Sequence, residues 1–151
     1  MVLEDSSLLI VEDNPADMMQ YLRLLENVEH GFERIECMST IQGASESLER
    51  SPPHACCLLD FSLPDGSALS LLESFQSHQK VANCPIVIIT GQEDTKNAVR
   101  LLKLGVQDYV IKDELTSNSL LRTIQNAMKN WSLSKQIEKM ALYDSLTGLS
   151  N

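Results

Sequence analysis

No apolar run in the 151 residues approaches the roughly 18 that a membrane-spanning helix needs. The longest runs, at positions 8–11, 55–59 and 85–89, are the size of strands. The N-terminus, MVLEDSS, has neither the basic segment nor the apolar core of a secretory leader. Basic residues are scarce: 12 Lys+Arg face 21 Asp+Glu, for a net charge of −9 and a pI near 4.7. Such a surface repels nucleic-acid phosphates and anionic lipid, so direct nucleic-acid or membrane binding is not expected. The four cysteines (Cys37, Cys56, Cys57 and Cys84) lack metal-ligand spacing, and two of them are adjacent inside an apolar run. They are expected to be buried, reduced thiols of a cytoplasmic protein. Neither a G-x-G-x-x-G sequence nor a P-loop follows the first apolar run, which counts against a nucleotide-binding module. There is no internal repeat and no low-complexity tract.

What is present is the composition of a globular domain, 43% hydrophobic and 22% charged. Apolar runs alternate with amphipathic stretches. Residues 7–12 (SLLIVE) form a short continuous apolar run ending in acid, the pattern of a strand buried on both faces. Asn14-Pro15 then predicts a helix N-cap with proline at the first helical position. Met18, Tyr21, Leu22 and Leu25 mark one buried face of that helix, and Gly31 is its expected end. Further strands are expected at 32–38, 55–59, 85–90 and 107–111. Helices are expected at 41–48, around Leu69, Leu72 and Phe75, at 95–104 with Val99, Leu102 and Leu104 as its apolar residues, and from 115–119 onward. Strict alternation of strand and helix implies an α/β fold: a doubly wound (βα)5 parallel sheet covered on both faces.

The last helix continues past the point where such a domain needs it. Leu120, Ile124, Ala127 and Trp131 follow a 4-3-4 spacing, and Leu133, Ile137 and Met140 repeat the step in a shifted register. Residues 120–127 are expected to cover the chain's own sheet. Beyond Trp131 the extended C-terminal helix is expected to meet a partner helix as a coiled coil.

In an open parallel sheet, ligands bind outside the carboxyl ends of the strands. Strand one ends in Glu12-Asp13, strand three in Asp60 and strand four in Thr90-Gly91, and strand five leads to Lys112. Three acids together repel one another unless a cation is present, and an all-oxygen set suits Mg²⁺. Lys112 can offset a phosphoryl oxygen, Thr90 offers a hydroxyl, and the Gly91 amide has no Cβ in front of it. The set describes a site for a phosphoryl group transferred to, or held on, a carboxylate. Singly, each residue has a plainer reading: a loop acid for Asp13 or Asp60, a β-branched strand residue for Thr90, a surface lysine for Lys112. Their joint placement at four strand ends carries the inference.

Over residues 5–130 the sequence resembles the receiver domain of two-component response regulators. The likeness rests on LLIVEDN (8–14), LLDFSLPDG (58–66), VIITG (87–91) and DYVIK (108–112). It implies a flavodoxin-like fold with Asp60 as phosphoacceptor, the donor being a histidine kinase or phosphotransfer protein. It further implies Mg²⁺ held by Glu12, Asp13, Asp60 and the backbone carbonyl of Ser62. Thr90, Gly91 and Lys112 would face the phosphoryl group, and Tyr109 would be the switch aromatic. Two departures stand out: Asp113 follows Lys112 where the family usually has proline, and Ala68 stands where a glycine is common.

The tail ALYDSLTGLSN (141–151) resembles the opening of a GGDEF, or diguanylate cyclase, domain, although no Gly-Gly-Asp/Glu-Glu-Phe signature occurs in the chain. The expected layout is a receiver at 1–130, a helical linker at 131–142 and the start of a cyclase domain at 143–151, as in a fragment of a longer regulator that dimerises through the C-terminal helix. Two alternatives stay open: a docking module that works without phosphorylation, and an aspartyl-phosphate phosphotransferase. The second is weakened by Ser62, which occupies the place where a general acid would stand two residues after the nucleophile.

Overall fold

Runs of leucine, isoleucine, valine and cysteine that cannot face water on either side assemble here into one parallel sheet. The computed structural model describes residues 6–91 and 95–147. Its five main strands are β1 (Ser7–Val11), β2 (Arg34–Met38), β3 (Cys56–Asp60), β4 (Ile86–Thr90) and β5 (Asp108–Ile111). They pair in the order β2-β1-β3-β4-β5, all parallel. Every residue of β1, β3 and β4 is buried, whereas the edge strands β2 and β5 are only partly covered.

Because side chains alternate across a strand, the sheet splits its apolar set between two cores. Leu8, Ile10, Cys56, Leu58, Val87 and Ile89 face α1 (Pro15–Glu26) and α5 (Ser117–Thr147). Leu9, Val11, Cys57, Leu59 and Ile88 face α2 (Ile41–Leu48), α3 (Ala68–Ser77) and α4 (Thr95–Lys103). This is the doubly wound architecture that the alternation predicts and the flavodoxin-like fold that the resemblance implies.

Local signals explain most boundaries. Asn14 caps α1, its Oδ1 accepting from the Ala16 and Asp17 amides at 2.8 and 3.2 Å, with Pro15 at the first position. Ser67 and Ser70 form a reciprocal capping box at the start of α3. Between β3 and α3 the chain makes a small antiparallel ladder, Ser62–Leu63 with Gly66–Ser67. From its tip, the Asp65 carboxylate accepts the Ile41 and Gln42 amides at 2.7 and 3.1 Å, which ties this loop to the N-terminus of α2.

Three expectations need correcting. Helix α1 ends at Glu26 with Asn27 as its C-cap, so Gly31 does not stop it; Gly31 instead takes φ 79° in the loop that follows. Cys37 is exposed, because it lies on edge strand β2, which is only partly covered; Cys56, Cys57 and Cys84 are buried and free. In α4 the side chain against the sheet is Leu101, fully buried, with Leu104 partly so, while Val99 and Leu102 are 48% exposed.

Helix α5 runs unbroken for 31 residues, through both expected domain boundaries at 130 and 142. Leu120, Ile124 and Ala127 are buried against the sheet, as expected. Farther along, Leu133, Ile137, Met140 and Leu142 are 47–66% exposed. Residues 148–151 of the GGDEF-like tail lie outside the described residues.

At the amino edge of the sheet lies a second polar cluster, in which Ser7 and His54 are buried and Arg50 and Glu36 partly so. Ser7 Oγ and His54 Nδ1 are 2.7 Å apart, and Arg50 reaches both Ser7 Oγ (3.2 Å) and the Glu36 carboxylate (3.0 Å). His54 Nε2 has no hydrogen-bond partner among the described residues.

Candidate functional site

The sheet order reverses at β1, whose chain neighbours diverge to opposite sides, and this opens a crevice at the carboxyl ends of β1 and β3. Register fixes what meets there. Val11 lies opposite Leu59, Asp60 opposite Ile89 and Thr90 opposite Ile111, so the residues that end each strand fall along one rim. Glu12, Asp60 and Thr90 are 3%, 7% and 8% exposed. Asp13 is exposed, and Lys112 opens the 3₁₀ turn Lys112–Glu114 just past β5.

Glu12, Asp13 and Asp60 each bring a carboxylate oxygen within 4.8 Å of the others. Three hard oxygen donors, two buried and one open to water, fit a small divalent cation that keeps part of its hydration shell. The Lys112 ammonium lies 2.9 Å from Glu12 Oε1 and 3.6 Å from Asp60 Oδ2.

Burial, followed by the hydrogen bond to Glu12 and its charge, pushes the Asp60 carboxyl up to about 7. Burial also works against ionised Glu12. There it is outweighed by hydrogen bonds from Asp60, Lys112, the Tyr21 hydroxyl and the Asn14 amide, which hold Glu12 below the ordinary carboxylate value. Burial would by itself lower Lys112, but its bonds to Asp17 and Glu12 and the field of Asp60 hold it above the ordinary lysine value. Without a cation, then, the pair favours negative charge on Glu12 and resists ionisation of Asp60.

Two residues of this cluster went unnoticed in the sequence. The Tyr21 hydroxyl donates to Glu12 Oε1 at 2.8 Å, and the ring is only 2% exposed. Lys112 donates to Asp17 Oδ2 at 2.8 Å. Tyr21 passed as one member of an apolar stripe, and Asp17 was not singled out. The available signal was their spacing: Asp17 and Tyr21 are four apart on a helix that starts directly after β1, so both stand over the same crevice.

The other expected residues are placed as follows. The side chain of Ser62, in the small ladder after Asp60, is exposed. A Cβ built on Gly91 meets nothing within 4 Å among the described residues. Tyr109 is half-buried on β5, packed against the core beneath α2, α3 and α4.

Comparison with known proteins agrees with this geometry. Residues 8–125 match the family model described as the response regulator receiver domain. The acid tolerance regulatory protein ActR of Rhizobium meliloti (strain 1021) is 31% identical over 121 residues, 80% of this chain and 59% of that protein. The photosynthetic apparatus regulatory protein RegA of Rhodovulum sulfidophilum is 32% identical over 109 residues, 72% of this chain and 56% of that protein. The chain thus spans less than two thirds of the length of these relatives. Among solved structures, a CheY-like response regulator receiver domain protein from Methanospirillum hungatei JF-1 superposes with a TM-score of 0.68 at 23% identity, covering 85% of this chain and 98% of its own.

Proposed function

We propose that this chain, which belongs to the family of response regulator receiver domains, accepts a phosphoryl group on Asp60 from a histidine kinase or phosphotransfer protein. One observation carries the reading. A nearly buried aspartate closes β3 beside two further carboxylates, and a lysine ammonium stands 3.6 Å from its oxygen. Nucleophilic attack needs Asp60 ionised, and the crowding of acids resists that until positive charge arrives. Glu12, Asp13 and Asp60 would hold Mg²⁺, with the Ser62 carbonyl as a further ligand by resemblance. The bound ion would neutralise the acid cluster and the phosphoryl oxygens.

The chain's own groups supply the rest. Asp60 is the nucleophile, Lys112 offsets the charge on the phosphoryl oxygens, and the Thr90 hydroxyl and Gly91 amide donate to them. Phosphorylation adds charge and acceptors at Asp60; Thr90 drawn inward then leaves room for Tyr109 to turn, which alters the α4–β5 surface.

The proposed setting is a cytoplasmic regulator with a receiver at 1–130, a linker at 131–142 and an output domain beginning at 143–151. That output is a diguanylate cyclase, a reading supported by the tail sequence alone. The exposed stripe of Leu133, Ile137 and Met140 supports pairing of two chains along the extended helix.

The deciding experiment is intact mass after incubation with acetyl phosphate and Mg²⁺, beside a Mg²⁺-free control and Asp60→Asn. The expected result is a Mg²⁺-dependent gain of one phosphoryl group, absent in the variant. A folded wild type that gains nothing would instead be a docking module acting without phosphorylation.

A further inference from the structure

The Lys112 ammonium is shared among three carboxylates, and its shortest pairing is with a residue that has no part in the scheme above. Nζ lies 2.8 Å from Asp17 Oδ2, 2.9 Å from Glu12 Oε1 and 3.6 Å from Asp60 Oδ2. Only the first two are within hydrogen-bond reach. The ammonium is therefore held toward Asp17 and Glu12, within ion-pair range of the proposed acceptor but beyond hydrogen-bond reach of it. Asp17 is fixed there by local structure, since the Asn14 side chain that caps α1 also accepts the Asp17 amide. The side chains of Asp17 and Lys112 are 37% and 18% exposed, so the pair is partly wet and able to open. Glu12 is not free to let go in the same way, because the Tyr21 hydroxyl and the Asn14 amide also bind it.

We propose that Asp17 is a latch on Lys112: in the unphosphorylated protein it holds the ammonium toward α1 and so slows phosphoryl transfer to Asp60. The proposal rests on the acceptor reading of Asp60 and adds a positioning residue to it. An ammonium has three N–H donors. Two of them bind Asp17 and Glu12 and so fix where the third can point, and turning the ammonium squarely onto an incoming phosphoryl oxygen means loosening one of the two bonds. Asp17 is the bond that opens. Its charge also faces an anionic phosphodonor, so neutralising Asp17 acts in the same direction on both counts.

The test compares initial phosphorylation rates at saturating Mg²⁺ and acetyl phosphate, read by intact mass, for wild type, Asp17→Asn, Asp17→Glu, Asp113→Asn and Asp60→Asn. Asp113 is exposed beside Lys112, so its variant removes a nearby charge without touching the latch. Asp17→Asn is expected to raise the maximal rate about five-fold, the equivalent of opening a partly exposed ion pair. Asp17→Glu and Asp113→Asn are expected to stay near wild type. A second readout needs no phosphodonor: in Mg²⁺-free protein, proton exchange of the Lys112 ammonium, followed by ¹H–¹⁵N NMR, is expected to be slow in wild type and faster in Asp17→Asn.

Equal rates for wild type and Asp17→Asn overturn the latch alone. Equal acceleration by Asp113→Asn also overturns it, leaving only a general charge effect, as does ammonium exchange that Asp17→Asn leaves unchanged. A wild type that takes up no phosphoryl group sinks the acceptor reading and the latch with it.

Discussion

Replacing Asp60 by asparagine in Mg²⁺-free protein should stabilise the fold increasingly as pH rises. The folded Asp60 carboxyl stands near 7, against 3.8 in an exposed chain. A group raised in this way contributes stability that is fully present below its unfolded value and is lost as pH climbs through its folded value. Between pH 5 and 7 the loss runs at about 1.4 kcal/mol per pH unit, and it levels off above 7. From pH 5 to pH 8 the gap between Asp60→Asn and wild type should therefore widen by about 2–3 kcal/mol in favour of the variant. Glu12, held below its ordinary value, titrates under this window. Other groups whose protonation changes the stability in this window are common to both proteins and cancel in the difference. Urea unfolding at pH 5, 6, 7 and 8 with a chelator measures the gap, and saturating Mg²⁺ should close or reverse it. A gap that stays constant across these pH values would refute the account of Asp60 as a carboxyl kept protonated by burial and by Glu12.

Tyr21→Phe removes the hydroxyl donor to Glu12 from a nearly dry position, and urea unfolding at pH 7 should show a loss of about 1.5–3 kcal/mol. His54 is held below 6.5 by burial and then by Arg50, so its contribution is full above pH 6.5 and falls away as pH drops. His54→Gln should accordingly lose stability more slowly than wild type on acidification below pH 6.5, by up to about 1.4 kcal/mol per unit. Ile124→Ala, fully buried under the sheet, should cost about 2–5 kcal/mol in the same assay. Ile137→Ala, 65% exposed, should change monomer stability by less than about 0.5 kcal/mol yet weaken self-association in sedimentation velocity.

Strand placement was legible because a parallel sheet covered on both faces forces continuous apolar runs, and the residue that closes each run is then pinned to one rim. Glu12, Asp60 and Thr90 could be located that way, and Lys112 one step past the last strand. Asp17 and Tyr21 could not, because their role is a contact and not a pattern. Asp17 meets Lys112 across 95 positions of sequence, and only the docking of α1 over the sheet brings the two together. Tyr21 looked apolar because its ring is; its polar tip matters only once Glu12 is known to lie beneath it. The inner face of α4 was misjudged for a related reason. A short helix carrying Val99, Leu101, Leu102 and Leu104 offers more than one apolar stripe, and packing against the sheet selected the stripe through Leu101. Cys37 shows the limit from the other side: the sequence marks a strand but not its place at the edge.

Helix α5 is clamped at one end and exposed from Gln136 to Leu142, with no break between. Its 31 residues span about 46 Å, and roughly the last 25 Å, from Trp131 to Thr147, stand beyond the anchored part. A rod of this kind converts sequence length into angle: each residue turns the following surface by about 100°. The direction in which Ile137 and Met140 point is therefore set by Leu120, Ile124 and Ala127 on the sheet. One residue inserted near position 131 would swing the stripe a quarter-turn or more out of phase, whereas seven would return it to within about 20°. Whatever is joined to the far end inherits its orientation from the three side chains buried at the near end.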